Sequence, residues 1–89
     1  MKIALTIAGS DPTGGAGLQA DIRVFSRLGV HGLSVTTALT AQNTNGVDSI
    51  LGIEACFIDA QLSTLLNDIR PDALKTGMIY TKDAVKVIA

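Results

Sequence analysis

An α/β fold with a central, mainly parallel sheet is predicted by three features of this sequence. Strand-like apolar runs alternate with helical stripes along the chain, the order that builds right-handed crossovers between parallel strands. Hydrophobic residues make up 47% and charged residues 17% of the 89 positions. That charged share is below the roughly 25% of an average soluble chain, as suits a sheet covered on both faces. Finally, a glycine-rich segment, Ala8 to Asp21, directly follows the first apolar run and opens a helical pattern. Such a loop lets backbone N–H groups approach a ligand, and the helix start adds unpaired donors and a partial positive charge. A small-molecule site with polar or anionic groups is the first expectation.

Lys2 to Ile7 reads as a buried strand. Leu18, Ile22, Phe25 and Leu28 then recur at spacings of four, three and three, one face of a helix over Leu18–Leu28. Gly29 supplies a left-handed C-terminal cap. Leu33 to Leu39 is rich in β-branched residues and reads as the second strand, running on to an end at Thr40-Ala41-Gln42-Asn43. Asn43-Thr44-Asn45-Gly46 is a turn cluster, with a short strand or flap over Val47–Ile53 after it. Ile58, Leu62, Leu65, Leu66 and Ile69 form the next helical stripe, stopped by Pro71. Ala73-Leu74-Lys75-Thr76 is a short strand before Gly77, and Thr81 is placed as the N-cap of a last helix carrying Asp83, Val85 and Ile88. The sequence stops at Ala89 inside that helix, so residues 1–89 are expected to be the first part of a longer enzyme.

Composition narrows the function classes. A net charge of −1 and the lack of a dense Lys/Arg run argue against a nucleic-acid partner. Phe25, Phe57 and Tyr80 are too few for a base-stacking platform. No apolar run approaches the ~20 residues of a membrane span, and Met1-Lys2 opens straight into a strand rather than a signal peptide. The single cysteine, Cys56, leaves no internal disulfide and no cysteine-built zinc site. A cytoplasmic protein is expected.

In parallel α/β sheets, ligands bind beyond the carboxyl ends of the strands. Gly9, the segment at Gln42 and the segment Gly77-Met78 all fall there. Neither common phosphate fingerprint is met: Gly17 is followed by Leu18-Gln19 rather than Lys-Ser/Thr, and Gly14-Gly15-Ala16-Gly17 is not G-x-G-x-x-G. The plainer reading of these glycines is a tight βα loop. Asp21, at about 100° per residue, points between Phe25 and Leu28. It reads either as an acceptor for a ligand's N–H or O–H groups or as a structural acid bonded to the loop's N–H groups, since an inward carboxylate needs partners. The Gln42 amide donates and accepts, which suits a heteroaromatic ring with an amine beside a ring nitrogen; the alternative is a turn residue satisfying backbone. Lys75 needs a partner or an anionic ligand if buried, or else reaches solvent. Met78 suits a pliable wall for an apolar ring, or core filling. His31 falls in a turn opposite the rim, outside any catalytic reading. Cys56 near a helix start is either a thiol with some thiolate character or an ordinary, partly buried one.

The run Leu5 to Asp21, the segment Ser34 to Thr44 and the segment Lys75-Thr76-Gly77-Met78 together resemble hydroxymethylpyrimidine/phosphomethylpyrimidine kinase, the thiamine-biosynthesis family of the ribokinase-like superfamily. The likeness runs in order through essentially all 89 residues. It implies the N-terminal portion of a ribokinase-like three-layer sandwich, as part of a single kinase domain. The implied reaction is ATP-dependent phosphorylation of 4-amino-5-hydroxymethyl-2-methylpyrimidine and its monophosphate, on the way to thiamine diphosphate, with Mg²⁺ as well as ATP. Carried over by position, Gln42 bonds the aminopyrimidine edge, Gly9 and Asp21 line its polar side, and Met78 packs near the ring. The resemblance also implies a homodimer for the full-length protein. The family's anion hole and base come from a Gly-Thr-Gly-Cys-like loop that nothing here matches, and the neighbours of Cys56, Ala55 and Phe57, do not fit it. No residue of this chain is therefore assigned a catalytic role. The alternatives are a pyridoxal-type vitamin kinase, a fused thiamine-pathway protein, and a non-catalytic pyrimidine-binding fragment.

Overall fold

The computed structural model describes residues 1–79 and 82–88 of the chain. Its elements are β1 (Ile3–Ala8), α1 (Gly17–Arg27), β2 (His31–Thr36), β3 (Ala38–Asn43), β4 (Gly46–Gly52), α2 (Ala55–Leu66), β5 (Ala73–Thr76) and α3 (Lys82–Ile88). β1 is the middle strand of a parallel sheet ordered β2-β1-β5, with Leu5 level with Leu33 on one side and Leu74 on the other. β3 and β4 form a separate antiparallel ribbon. Thr81, the predicted N-cap of the last helix, lies outside the described residues, as does Tyr80.

The two faces of β1 differ in size, and this decides what packs on each. Leu5 and Ile7 join Leu33, Val35 and Ile58 of α2 in the buried core, with Ile3, Leu62, Leu65 and Ile88 packed around them. The alternate residues Ala4, Thr6 and Ala8 are small and equally buried, and they face α1. Small residues there let the helix approach the sheet closely. Gly32 extends the same surface on β2, for a Cβ at that position would run into Ile22 Cδ1 and Phe25. The parallel sheet thus has α1 on one face and α2 on the other, the layering predicted from the alternating pattern.

Three boundaries differ from those predicted, each for a physical reason. The α1 stripe stops at Phe25; Leu28 is 71% exposed. It is the C-cap, and the chain turns away there in a Schellman arrangement, with Val30 N–H donating to Phe25 C=O and Gly29 N–H to Ser26 C=O. Gly29 has the predicted left-handed conformation, at φ 72°. The strand predicted over Leu33–Leu39 is two strands broken at Thr37. β2 remains paired only as far as β1 lasts, to Thr36 beside Ala8, and the chain then leaves the sheet to pair with β4. Gln42 accordingly belongs to the ribbon and not to an end of the parallel sheet. Lastly, α2 ends at Leu66 with Asn67 as its C-cap, well before Pro71. Leu66 is exposed, and Ile69 packs on the core from the connection after the helix. This early stop lets Asp72 reach the start of β1, where its N–H donates to Ile3 C=O and its carboxylate accepts from Ile3 N–H.

No helix among the described residues is long and apolar enough to cross a membrane.

Gln61 of α2 covers the end of β2. Its Oε1 accepts from Thr36 N–H and its Nε2 donates to Thr36 C=O, both at 2.9 Å. Replacing Gln61 with Leu removes both bonds and leaves two part-buried backbone groups unpaired. Urea unfolding should show a loss of about 1–3 kcal/mol, read as a lower midpoint at unchanged slope. An unmoved midpoint would show that water serves Thr36 equally well.

Candidate functional site

At the carboxyl ends of β1 and β5 the structure has a cleft of about 290 Å³. Three segments wall it. Gly9, Ser10, Asp11 and Gly17 come from the glycine-rich loop, Gln42 from β3, and Lys75, Gly77 and Met78 from the end of β5. Gly9, Gln42 and Met78 therefore share one cavity, whereas Asp21 stands behind Lys75 rather than in the wall. A larger hollow of about 600 Å³ lies between α2, β5 and α3. Leu5, Ile7, Leu62, Leu66, Leu74 and Ile88 make much of its wall, so it belongs to the core packing and not to the loop.

The glycine-rich loop does not offer a vacant anion cradle. Asp11 is buried, and its carboxylate accepts from Thr13 N–H at 2.9 Å and Thr13 Oγ1 at 2.8 Å. The Thr13 hydroxyl and then its N–H hold the Asp11 carboxyl below its ordinary range; burial opposes this, and the N–H groups of Ala16 and Gly15 reinforce it. The loop thus surrounds its own negative charge. Its far end is closed by Leu18 N–H donating to Gly9 C=O at 3.0 Å, and Gln19 Oε1 accepts from Asp11 N–H at 2.8 Å. Gly17 makes that closure possible: its φ is 63°, and a Cβ there would overlap Gly9 C=O. In the expected mode, a ligand's anionic group lies on the loop; the protein's own carboxylate takes that place.

On the ribbon side, Gln42 Nε2 donates to Thr40 Oγ1 at 2.7 Å, and Thr40 Oγ1 donates in turn to Ser10 C=O at 3.0 Å. Ser10 N–H donates to Ala38 C=O at 2.9 Å, and Thr40 N–H to Ser10 Oγ at 3.3 Å. These bonds fasten β3 to the chain leaving β1 and carry Gln42 to the cleft. One N–H and the carbonyl oxygen of the Gln42 amide have no partner among the described residues. The opposite wall is placed by Thr37, whose hydroxyl donates to Met78 C=O at 2.5 Å. Gly9 makes room for the thioether, because a Cβ there would stand 2.7 Å from Met78 Cε.

Behind the cleft, Asp21 accepts from Thr6 Oγ1 at 2.6 Å and pairs with Lys75 Nζ at 2.8 Å. Burial pushes the Asp21 carboxyl up; the bond from Lys75, the bond from Thr6 and the Lys75 charge together outweigh it and leave the carboxyl below its ordinary value. Asp21 is thus tied to β1 and β5 and not to the N–H groups of the loop. Lys75 is 48% exposed, so its ammonium has both a carboxylate and water. His31 lies at the opposite, amino end of β2. Cys56 is exposed and reaches Glu54 Oε2 at 3.5 Å, instead of being partly buried. Among the described residues no group of three His, Cys, Asp or Glu side chains could hold a metal ion.

Sequence reasoning missed the threonines. Thr6 and Thr37 are buried and each spends its hydroxyl on the site's frame, as Thr40 does at part-burial. The signal was present: a hydroxyl in a strand that is otherwise apolar must find a partner.

Known proteins share this sequence and fold. A family model described as phosphomethylpyrimidine kinase matches residues 11–89. The hydroxymethylpyrimidine/phosphomethylpyrimidine kinase of Escherichia coli strain K12 is 55% identical over 86 residues, which cover 97% of this chain and 32% of that protein. The crystal structure of phosphomethylpyrimidine kinase from Clostridium difficile 630 superposes with a TM-score of 0.94 at 44% identity, over 99% of this chain and 38% of that one. Pyridoxal kinase from Staphylococcus aureus, solved with AMP-PCP and pyridoxal, gives a TM-score of 0.85 at 38% identity, over 97% of this chain and 32% of that one. The chain thus spans about a third of the length of the curated relatives it matches. The fold is that of the ribokinase-like vitamin kinases.

Replacing Asp21 with Ala leaves the fully buried Thr6 hydroxyl without its acceptor. This should cost about 1–3 kcal/mol in urea unfolding at neutral pH. Because the folded pKa is depressed, the contribution is complete above the unfolded value of about 3.9 and is lost as pH falls through the lower folded value. The gap between wild type and Asp21→Asn should therefore narrow below about pH 4. A gap independent of pH would show that the charge plays no part.

Proposed function

Because this chain belongs to the phosphomethylpyrimidine kinase family, we propose that it supplies the acceptor side of a kinase site for 4-amino-5-hydroxymethyl-2-methylpyrimidine and its monophosphate. The observation that carries this reading is the Gln42 amide, whose second N–H and carbonyl oxygen have no partner among the described residues, at a cleft also lined by Gly9 and Met78. An aminopyrimidine edge offers the complement, an amine beside a ring nitrogen that accepts. Met78 is 41% exposed and gives the ring a polarisable wall. Gly9 keeps the backbone close beneath the ring, and Asp21 acts from behind by holding Lys75 at the cleft wall. These residues bind and orient the ring that carries the hydroxyl, which is how phosphoryl transfer gains most from a protein on the acceptor side.

ATP is the phosphoryl donor in this reading, with Mg²⁺ to neutralise the charge developing on the transferred group. The described residues do not fit either one. The loop's donors are engaged by Asp11, and no carboxylate cluster is assembled. In this reading most of the donor site is supplied by other parts of the whole protein. The whole protein is then a cytoplasmic, homodimeric enzyme of thiamine diphosphate synthesis, with residues 1–89 contributing one part of a single kinase domain.

A second reading, a pyridoxal-type kinase, is favoured by the structural likeness to pyridoxal kinase. Pyridoxal carries a hydroxymethyl group on a ring but no amine beside the ring nitrogen, so Gln42 separates the two readings.

Calorimetric titration of the hydroxymethylpyrimidine into the chain, with circular dichroism confirming the fold, should show saturable binding. Gln42→Ala should weaken it by about tenfold or more, as expected for two lost hydrogen bonds. Absence of binding by the folded chain would overturn the claim that these residues make the acceptor pocket. Tighter binding of pyridoxal would select the second reading.

A further inference from the structure

A carboxamide is nearly symmetric in shape and antisymmetric in hydrogen bonding, so a glutamine selects a ligand's donor–acceptor order only if something stops it from flipping. The structure contains such a device. Ser10 C=O can only accept, and it takes the proton of Thr40 Oγ1 at 3.0 Å. With its proton committed, Thr40 Oγ1 is left as an acceptor towards Gln42, and the NH₂ end of the amide turns to it at 2.7 Å. Thr40 itself is held at a second point by its own N–H on Ser10 Oγ, and its β-branched side chain has little rotamer freedom. Thr40 and Gln42 are two apart on β3 and so share one face of the ribbon, from which the amide enters the cleft.

We infer that Thr40 is a specificity-determining positioning residue: by fixing the polarity of the Gln42 amide it makes the site prefer an aminopyrimidine over the matching 4-oxo ring. The inference rests on the proposed pyrimidine site. The amino ring presents an N–H donor beside an acceptor nitrogen. The 4-oxo ring presents a carbonyl acceptor beside an N–H donor, the reverse order. Against a fixed amide, the second pattern sets acceptor on acceptor and donor on donor. Against an amide free to turn, both patterns pair equally well.

The test is calorimetric affinity for 4-amino-5-hydroxymethyl-2-methylpyrimidine and for 5-hydroxymethyl-2-methylpyrimidin-4-one, on wild type, Thr40→Val and Thr40→Ser. Circular dichroism checks each fold, and Thr40→Ala replaces Thr40→Val if the latter is misfolded. Wild type should favour the amino ring by at least about tenfold, as sites built on paired polar groups do. Thr40→Val should bring the two affinities within about threefold of each other, and Thr40→Ser, which keeps the hydroxyl, should restore the preference. A merely structural threonine would lower both affinities together and leave their ratio alone. A ratio retained in Thr40→Val, or lost equally in Thr40→Ser, overturns the role of Thr40. Equal affinities in wild type overturn the fixed polarity. Failure of folded wild type to bind the amino ring instead overturns the acceptor-site reading on which the inference stands.

Discussion

Thr37 is the joint at which the chain passes from the parallel sheet to the ribbon, and all its polar groups are in use. Its N–H donates to Ala8 C=O at the end of β1, its C=O accepts from Ile53 N–H after β4, and its hydroxyl donates to Met78 C=O after β5. Three segments distant in sequence are thereby held against one buried residue. A buried donor or acceptor left unpaired costs about 1–3 kcal/mol, so each of these bonds is strongly constrained. The position of Gln42 on one side of the cleft and Met78 on the other follows from this joint. The ribbon begins where Thr37 leaves the sheet, and the Met78 backbone is anchored by the Thr37 hydroxyl.

Electrostatic needs are met locally around the cleft, and this shapes what the cleft can recognise. The loop's N–H groups are directed at Asp11, and the Lys75 ammonium at Asp21. The cleft presents the half-exposed Lys75 ammonium, an amide, a thioether and close backbone as its recognition elements.

Much of the architecture was legible because it depends on local patterns. The apolar run of β1, the stripe Leu18-Ile22-Phe25 and the cap at Gly29 each record a period or a backbone requirement that the sequence displays directly. The break at Thr37 was not legible. Leu33 to Leu39 is uniformly strand-like, and what divides it is the point at which β1 stops offering a partner. For the same reason the exposure of Leu28 could not be read from spacing alone. Helical periodicity continues through it, but the Schellman turn carries it off the face.

The site divides along the same line. By itself, the sequence determined which chemical groups stand near the ends of the strands: the glycine-rich loop, a carboxylate at Asp21, an amide at Gln42 and a thioether at Met78. Residue identity and strand order are properties of the chain. Tertiary structure alone decided what each group does there. Only packing turns Asp21 towards Thr6 and Lys75, fills the loop with Asp11, and sets the Gln42 amide against a hydroxyl whose proton is already given to Ser10 C=O. A hydrogen bond between residues far apart in sequence has no local signature. It arises when buried polar groups must find partners among whatever the fold has brought within reach.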